Sequence, residues 1–443
     1  MKRVAAVAFT FVGFYIPADV VITLLYTKME LFSIKELSFQ NSVLKWLDNH
    51  FFLFAFIVIV LLWAPFLISH LPGSVPYDGA RQLRMYIGTE TFSKHHPWLL
   101  TYIYGAIFTL GSHVSENFGV FLVVILFFLI EALCYAEVST KIKVLGNNFV
   151  SGCCAVTFFA VLPAFAAFAE ALIKDGVYAA LFALFIVLCM DICFTNDGLI
   201  SKKTLIFKII RLFIAGVLVC LTRNNGIYMV IPEMFVLIFV FRKKLKRYAV
   251  ILLFAIFLCY SGLESFATNV LGVADGSIKE MLSIPFQQTA RYLTEYPDDV
   301  TEEEANGISG VLYYETLAER YEPEQSDRVK DTYSGNGIED LKSYFKAWFS
   351  MFKKHLGVYF EATFHNTYGY YYLFYDKEVL STYPSYINTN TLTDAGLDVY
   401  YIIPDSVKMA TNNYAGLWRK IPVLCQLMNP AFLCLIIPII RNY

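Results

Sequence analysis

Charge is scarce in this 443-residue chain: Asp, Glu, Lys and Arg make up only 16% of it, where a soluble domain carries about 25%. That shortage, with 57% hydrophobic residues and a mean hydropathy of +0.54, excludes a soluble domain with a single anchor. Cysteine is missing from residues 267–417, the most polar part, which excludes a disulfide-stapled module there. The nine cysteines, Cys153, Cys154, Cys189, Cys193, Cys259 and Cys434 among them, sit in apolar stretches as small buried hydrophobes. None is spaced with histidine as a metal site would require. No repeat or low-complexity tract stands out, and the polar part has no basic face, which argues against nucleic-acid binding.

Long apolar runs are abundant. A bilayer core takes about 20 apolar residues, and runs of suitable length lie near 4–26, 51–70, 117–137, 147–171, 177–194, 205–222, 226–241, 248–266 and 420–440. The expected fold is an α-helical polytopic membrane protein. Residues 1–266 form a transmembrane bundle with a first outer loop at 71–116, residues 267–417 a mostly helical acidic extracytoplasmic insert, and 418–443 a C-terminal transmembrane helix. Met1-Lys2-Arg3 before a long run without a small-residue cleavage site reads as a retained helix. Helical character is expected at 302–306, 315–324 and 341–352, and the Tyr-rich stretch 368–375 reads as packed or interfacial.

The charges divide unevenly. The insert holds 22 acidic and 11 basic side chains, leaving 15 acids and 24 bases to the rest. Basic loops face the cytoplasm, so Arg242-Lys243-Lys244-Leu245-Lys246-Arg247, Lys202-Lys203 and Lys141-Ile142-Lys143 share that side. Alternation then puts the Asp78 loop, Lys174-Asp175-Gly176, Arg223-Asn224-Asn225-Gly226 and the insert together outside. The stretch 97–111 is too short to cross and reads as an interfacial helix, with Trp98, Tyr102 and Tyr104 suited to that depth. The first run leaves the side of Met1 open. The expected location is the plasma membrane.

The candidate site gathers on those outer loops. Asp78 follows Pro72-Gly73-Ser74-Val75-Pro76-Tyr77; it either caps a helix or acts as a general base on an acceptor hydroxyl. Arg81, Gln82, His95 and His96 in the same loop favour the base, as titratable groups converge on sites. Lys174 reads either as the partner of Glu170 four residues back or as part of the site. Asp175 is either a cap or a second acid, orienting an acceptor or binding a divalent metal whose further ligands are not identifiable. Arg223, with Asn225, would suit a phosphate through its planar fork, or would snorkel to headgroups. Gln287, Gln288 and Arg291 would hold a sugar or phosphate, or simply line a polar helix. Acids inside apolar runs (Asp19, Glu131, Asp191, Glu233) form no continuous line, so a proton relay is disfavoured.

In this order, the Pro-Gly loop with Asp78, His95-His96-Pro97-Trp98, Lys174-Asp175, Arg223-Asn224-Asn225-Gly226 and Gln287-Gln288 with Arg291 resemble the GT-C superfamily of integral-membrane glycosyltransferases. That group contains the protein O-mannosyltransferases and aminoarabinose transferases, and an uncharacterised bacterial branch is the most similar part. Trp348 to Tyr359 and Phe364 to Tyr375 resemble that branch's outer domain. The resemblance implies a GT-C-like bundle and a polyprenyl-phosphate-linked sugar as donor. It also implies a glycan, lipid or protein acceptor and inverting transfer on the outer face, with a first-loop carboxylate, matched by Asp78, as base. Asp175 matches the second-loop acid. Gly79 stands where some relatives carry a second acid, and relatives have further C-terminal helices, so a shortened or divergent C-terminal part is implied. A transporter or flippase of lipid-linked glycans is the main rival, and a silent scaffold for envelope assembly a third reading. No paired-halves symmetry of the transporter kind is visible.

Overall fold

The computed structural model describes residues 41–146, 148–194, 201–240, 243–335, 337–370, 384–421 and 425. The expected spans near 4–26 and 420–440, Asp19, and most of the Tyr-rich stretch lie outside them. Among the described residues the protein is helical, with β-structure limited to isolated bridges. Among the described residues, five helices are long and apolar enough to cross a membrane, or six counting one bent pair. The chain is an α-helical membrane protein.

The chain divides into two compact units, the first made of residues up to Asp275 together with the segment 384–421. Its helices are α1 (Ser42–Asn49), α2 (Phe51–Ser69), α3 (Tyr77–Ile87), α4 (Trp98–Ser112), α5 (Glu116–Leu145), α6 (Phe149–Val161), α7 (Pro163–Ala169), α8 (Lys174–Cys193), α9 (Lys202–Thr222), α10 (Gly226–Val240) and α11 (Lys243–Asn269). Ser115, Asn148 and Ser201 cap α5, α6 and α9 by accepting backbone N–H bonds, as short polar residues do at helix starts.

Two expected spans take a different form. The run at 147–171 is broken: α6 and α7 meet at 59°, because Pro163 has no N–H to give Phe159 and its ring bars a straight helix. The orphaned Phe159 carbonyl is satisfied instead by the indole of Trp63, fully buried in α2, at 3.0 Å. The run at 226–241 forms α10, only 15 residues with Pro232 inside, short of a full crossing. The stretch 97–111 is helical as expected, as α4, with Trp98, Leu100, Tyr104 and Phe108 buried.

The second unit comprises α12 (Ser283–Glu295), α13 (Glu302–Ser309), α14 (Ile338–Lys354) and α15 (Leu356–Thr367), with shorter turns between them. Phe286, Tyr292, Leu312, Tyr344, Met351 and Tyr359 form its core. Of the expected helix at 315–324 only 315–317 is helical, within the short helix Tyr314–Leu317.

The insert's boundaries need correction. Residues 267–275 finish α11 and its exit, and 384–421 return to the first unit, ending in α16 (Asp405–Lys420). Charge marked this return as part of the insert, but its packing is set by contacts. Ser69 and Thr411 hydroxyls lie 3.0 Å apart, and Tyr414 donates to the Val161 carbonyl at 2.6 Å.

Candidate active site at one end of the bundle

The connection order places the ends of α2, α5, α7, α8 and α9 alternately at two ends of the first unit. One end gathers the C-terminus of α2 and the N-termini of α5 and α8. Here the loop before Asp78 is clamped on both sides by backbone. Ser74 N–H donates to the Glu170 carbonyl (3.1 Å) and Leu172 N–H to Ser74 (2.8 Å). On the other edge Val75 N–H donates to Tyr386 (3.0 Å) and Asn388 N–H to Val75 (2.8 Å). Beneath it Glu170, 0% exposed, accepts from the Ser74 amide and hydroxyl, both at 3.0 Å. Burial pushes the Glu170 carboxyl up to about 8, against hydrogen bonds from Ser385 and Ser74 that lower it.

That clamp sets where α3 begins. Its N-cap is Pro76, and no side chain caps it, so Asp78 is a first-turn acid and not the cap. A carboxylate is favoured at that position by the helix dipole. Gly79 lies against α8's approach: a Cβ there would fall 2.0 Å from the Leu172 carbonyl oxygen. A second acid at position 79 is therefore barred by packing.

Asp78 faces Lys174, the first residue of α8, and the two are joined by a hydrogen-bonded ion pair. A cation at a helix N-terminus opposes the dipole, so Lys174 is held there by Asp78; the alternative partner, Glu170, is engaged with Ser74. Lys174 Nζ also lies 3.2 Å from His96 Nδ1. Ammonium is donor only, so Nδ1 accepts and the His96 proton sits on Nε2. His96 is 1% exposed, and Nε2 has no hydrogen-bond partner among the described residues. Burial, then Lys174, lowers the His96 pKa to about 3 despite Asp78, so the ring is neutral. Burial alone would raise the Asp78 carboxyl. The charge and hydrogen bond of Lys174, with His96 and His95 adding, leave it below its ordinary value instead. The result is a partly exposed carboxylate, an ammonium and a buried N–H donor within one contact shell.

Asp175 pairs with Arg223, whose guanidinium also lies 5.4 Å from the Tyr178 ring centre. Asn224 donates to the carbonyls of Lys94 (2.7 Å) and His95 (3.3 Å), so the turn between α9 and α10 reaches the histidine loop. Lys94 and Trp98 both bond Glu264 of α11, at 3.1 and 2.9 Å. Three of the segments expected on one side thus meet within the first unit: contacts link Asp78, Lys174 and His96, and separately Asp175 and Arg223. The other expected residues do different work. Arg81 bonds Glu90 at 2.6 Å, and Gln82 is buried, donating to Thr101 at 2.9 Å. Asn225 starts the turn into α10 through its carbonyl.

Gln287, Gln288 and Arg291 belong to the second unit and are bonded within it. Gln287 donates to the Glu322 carbonyl, and Gln288 donates to Thr363 while accepting from Trp348. Arg291 lies 2.7 Å from both Glu295 and Glu361. As for a metal, Asp78 and Asp175 each face a cation, and no cluster of three metal-ligating side chains exists among the described residues. This donor set does not fit a resident divalent ion. Sequence reasoning missed Glu264, the Ser74–Glu170 clamp and the return segment. Only the polar Ser74 and the acid at 170 hinted at them.

A family model described as a family of unknown function (DUF6020) matches residues 87–441. The chain belongs to that family. Asp78 lies just ahead of the matched region, whereas His96, Lys174, Asp175 and Arg223 lie inside it. No curated protein and no solved structure matches the chain.

Proposed function

We propose that this DUF6020 member is a membrane glycosyltransferase. It would move a sugar from a polyprenyl-phosphate donor to a hydroxyl of a cell-envelope glycan, lipid or protein at the outer face of the plasma membrane. The observation that carries the reading is the Asp78–Lys174–His96 group at the end of a membrane bundle. Glycosyl transfer needs a base for the acceptor O–H and positive or N–H groups for the departing phosphate. Lys174 and the His96 Nε2–H supply the second kind, with Arg223 close behind Lys174 on Asp175.

Asp78 paired with Lys174 is ionised but a weak base. A phosphate arriving at Lys174 draws the ammonium from Asp78 and restores its basicity next to the acceptor. Asp78 then takes the acceptor proton as the acceptor oxygen bonds the anomeric carbon. The bond from that carbon to the phosphate oxygen breaks on the opposite face, and phosphate leaves with the electron pair. One base and no covalent intermediate give inversion.

The test is transfer by purified protein in proteoliposomes supplied with polyprenyl-phosphate sugars and an envelope extract as acceptor. Asp78→Asn is expected to lower the rate by about 10²-fold or more, and Lys174→Met to weaken donor use. Full activity in Asp78→Asn would remove Asp78 as the base. Translocation of a lipid-linked glycan without sugar transfer would assign the same residues to headgroup binding in a transporter.

A further inference from the structure

Behind the clamped loop, on the side of the return segment, the first unit holds a cavity of about 610 Å³. That is within the range of small-molecule sites, roughly 300–1,000 Å³. Its lining includes His70, Tyr386, Tyr401, Asp405, Lys408 and Asn412; Asp78, Lys174 and His96 are not part of it. His70 follows the last residue of α2 and is 1% exposed. Its Nδ1 edge turns back to the Phe66 carbonyl and the Ser69 hydroxyl, each at 3.0 Å. The opposite edge carries Nε2, which has no hydrogen-bond partner among the described residues. A buried, unbonded polar atom beside a cavity is costly unless something fills it. Burial lowers the His70 pKa, with Lys408 adding to it, so the ring is neutral. With Nδ1–H given to Phe66, Nε2 is an acceptor awaiting a donor.

The remaining lining narrows the ligand. Lys408 is already neutralised, 2.6 Å from Asp405 and 3.9 Å from the centre of the Tyr401 ring, so little positive charge is left for an anion. Asp405 is a largely exposed acceptor, Asn412 an exposed amide, and Tyr386 keeps nearly half its surface open while its hydroxyl meets the Tyr77 amide. Acceptors around an aromatic face suit a neutral ring that carries several hydroxyl donors. The walls are preformed, since Tyr401 is bonded to Ser74 at 2.8 Å and α16 to α2 through Ser69 and Thr411.

We infer that this cavity, with His70 and its unbonded, buried Nε2 among the lining residues and the Tyr386 ring at its side, binds a neutral glycosyl unit through its hydroxyls. The inference stands on the cavity alone and does not need sugar transfer at Asp78. To test it, the full chain in lipid nanodiscs is exposed to methyl α-mannopyranoside, methyl β-glucopyranoside and N-acetylglucosamine, and read by saturation-transfer difference NMR. Ring-proton signals are expected from at least one. His70→Phe removes the acceptor but keeps the ring, and should reduce them about five-fold, the worth of one hydrogen bond. Asn412→Trp, entering from an exposed position, should abolish them by filling the space. No signal from any of the three, or signals untouched by Asn412→Trp, overturns the inference. So does inorganic phosphate bound at this cavity in place of the glycosides. Because binding is read without turnover, its failure leaves the Asp78 reading intact, and a transfer-dead Asp78→Asn protein leaves this inference intact.

Discussion

The two ends of the first unit carry the same kinds of side chain and use them oppositely. At the end where α5 finishes and α9 begins, Asp191 sits 2.9 Å from both Lys141 and Lys208. Glu137 meets Arg211 at 2.7 Å, and Lys143 meets Asp48 at 2.5 Å. These pairs tie α1, α5, α8 and α9 together, and the carboxylate of Asp191 is matched by two cations. At the other end Asp78 is paired with Lys174, that cation also leans on a neutral histidine, and the histidine N–H has no partner among the described residues. Asp78 and Arg223 stay 36% and 43% exposed in their side chains. The difference is one of balance: one end matches its carboxylates with cations, and the other leaves a partly exposed carboxylate beside a buried His96 N–H that has no partner among the described residues.

The strongest way to break that comparison is to exchange the acids for amides at both ends and measure the same two quantities. Asp78→Asn is expected to lower transfer by about 10²-fold or more while the unfolding temperature stays within a few degrees, because the Asp78 side chain is 36% exposed, against 8% for Asp191, and water can take its place beside Lys174. Asp191→Asn should behave in the reverse sense. It leaves two lysines without their shared carboxylate. Losing one partner of a buried pair costs about 3–5 kcal/mol, and water at the lysines should reduce this to about 2–3. Transfer per folded molecule should not change. Equal loss of activity in both variants would show that the two ends are not distinct in function.

A smaller effect tests the framework that aims Asp78. Gly79→Ala would put a methyl into the Leu172 carbonyl, 2.0 Å away at the Cβ. α3 must then shift, at a cost of about 1–3 kcal/mol for overpacking. Gly262→Ala in α11, where nothing lies within 4 Å, is the matched control. It should be neutral or slightly stabilising, as alanine favours helix over glycine by up to about 1 kcal/mol. Thermal unfolding of the two in the same detergent decides it. Equal curves would mean that α3 is not held by this contact.

How much of this was legible beforehand depends on the range of the interaction. The apolar runs gave α2, α5, α8, α9 and α11 directly, since length and hydropathy are local properties. The run at 147–171 reads as unbroken despite Pro163, and nothing nearby in sequence announces that Trp63, 96 residues before Phe159, would satisfy the orphaned carbonyl. Loop charge put Asp78, Lys174, Arg223 and the histidines on one side, and the contacts between them agree. It could not tell Lys174's partner from the nearby Glu170, because that choice depends on the Ser74 clamp. The return of 384–421 to the first unit was hidden for the same reason: its composition is polar, and its attachment rests on backbone bonds to Val75 and a few hydroxyls.

The clamp itself gives the smallest and most specific measurement. Glu170 is protonated in the folded chain up to about 8, against an ordinary value of 4.5, because it is buried. Between those values the folded state holds a proton that the unfolded chain releases. Stability therefore falls as pH rises from about 4.5 to about 8, and levels off above. Glu170→Gln keeps the shape and a donor–acceptor pair for Ser74 without a titrating group. Its unfolding temperature should be less sensitive to pH between 5 and 8 than that of the parent, with the two closest at the acid end. Parallel curves would mean that Glu170 is ionised in the fold. The loop before Asp78 would then rest on a buried charge, and the Asp78 end would be built like the other one.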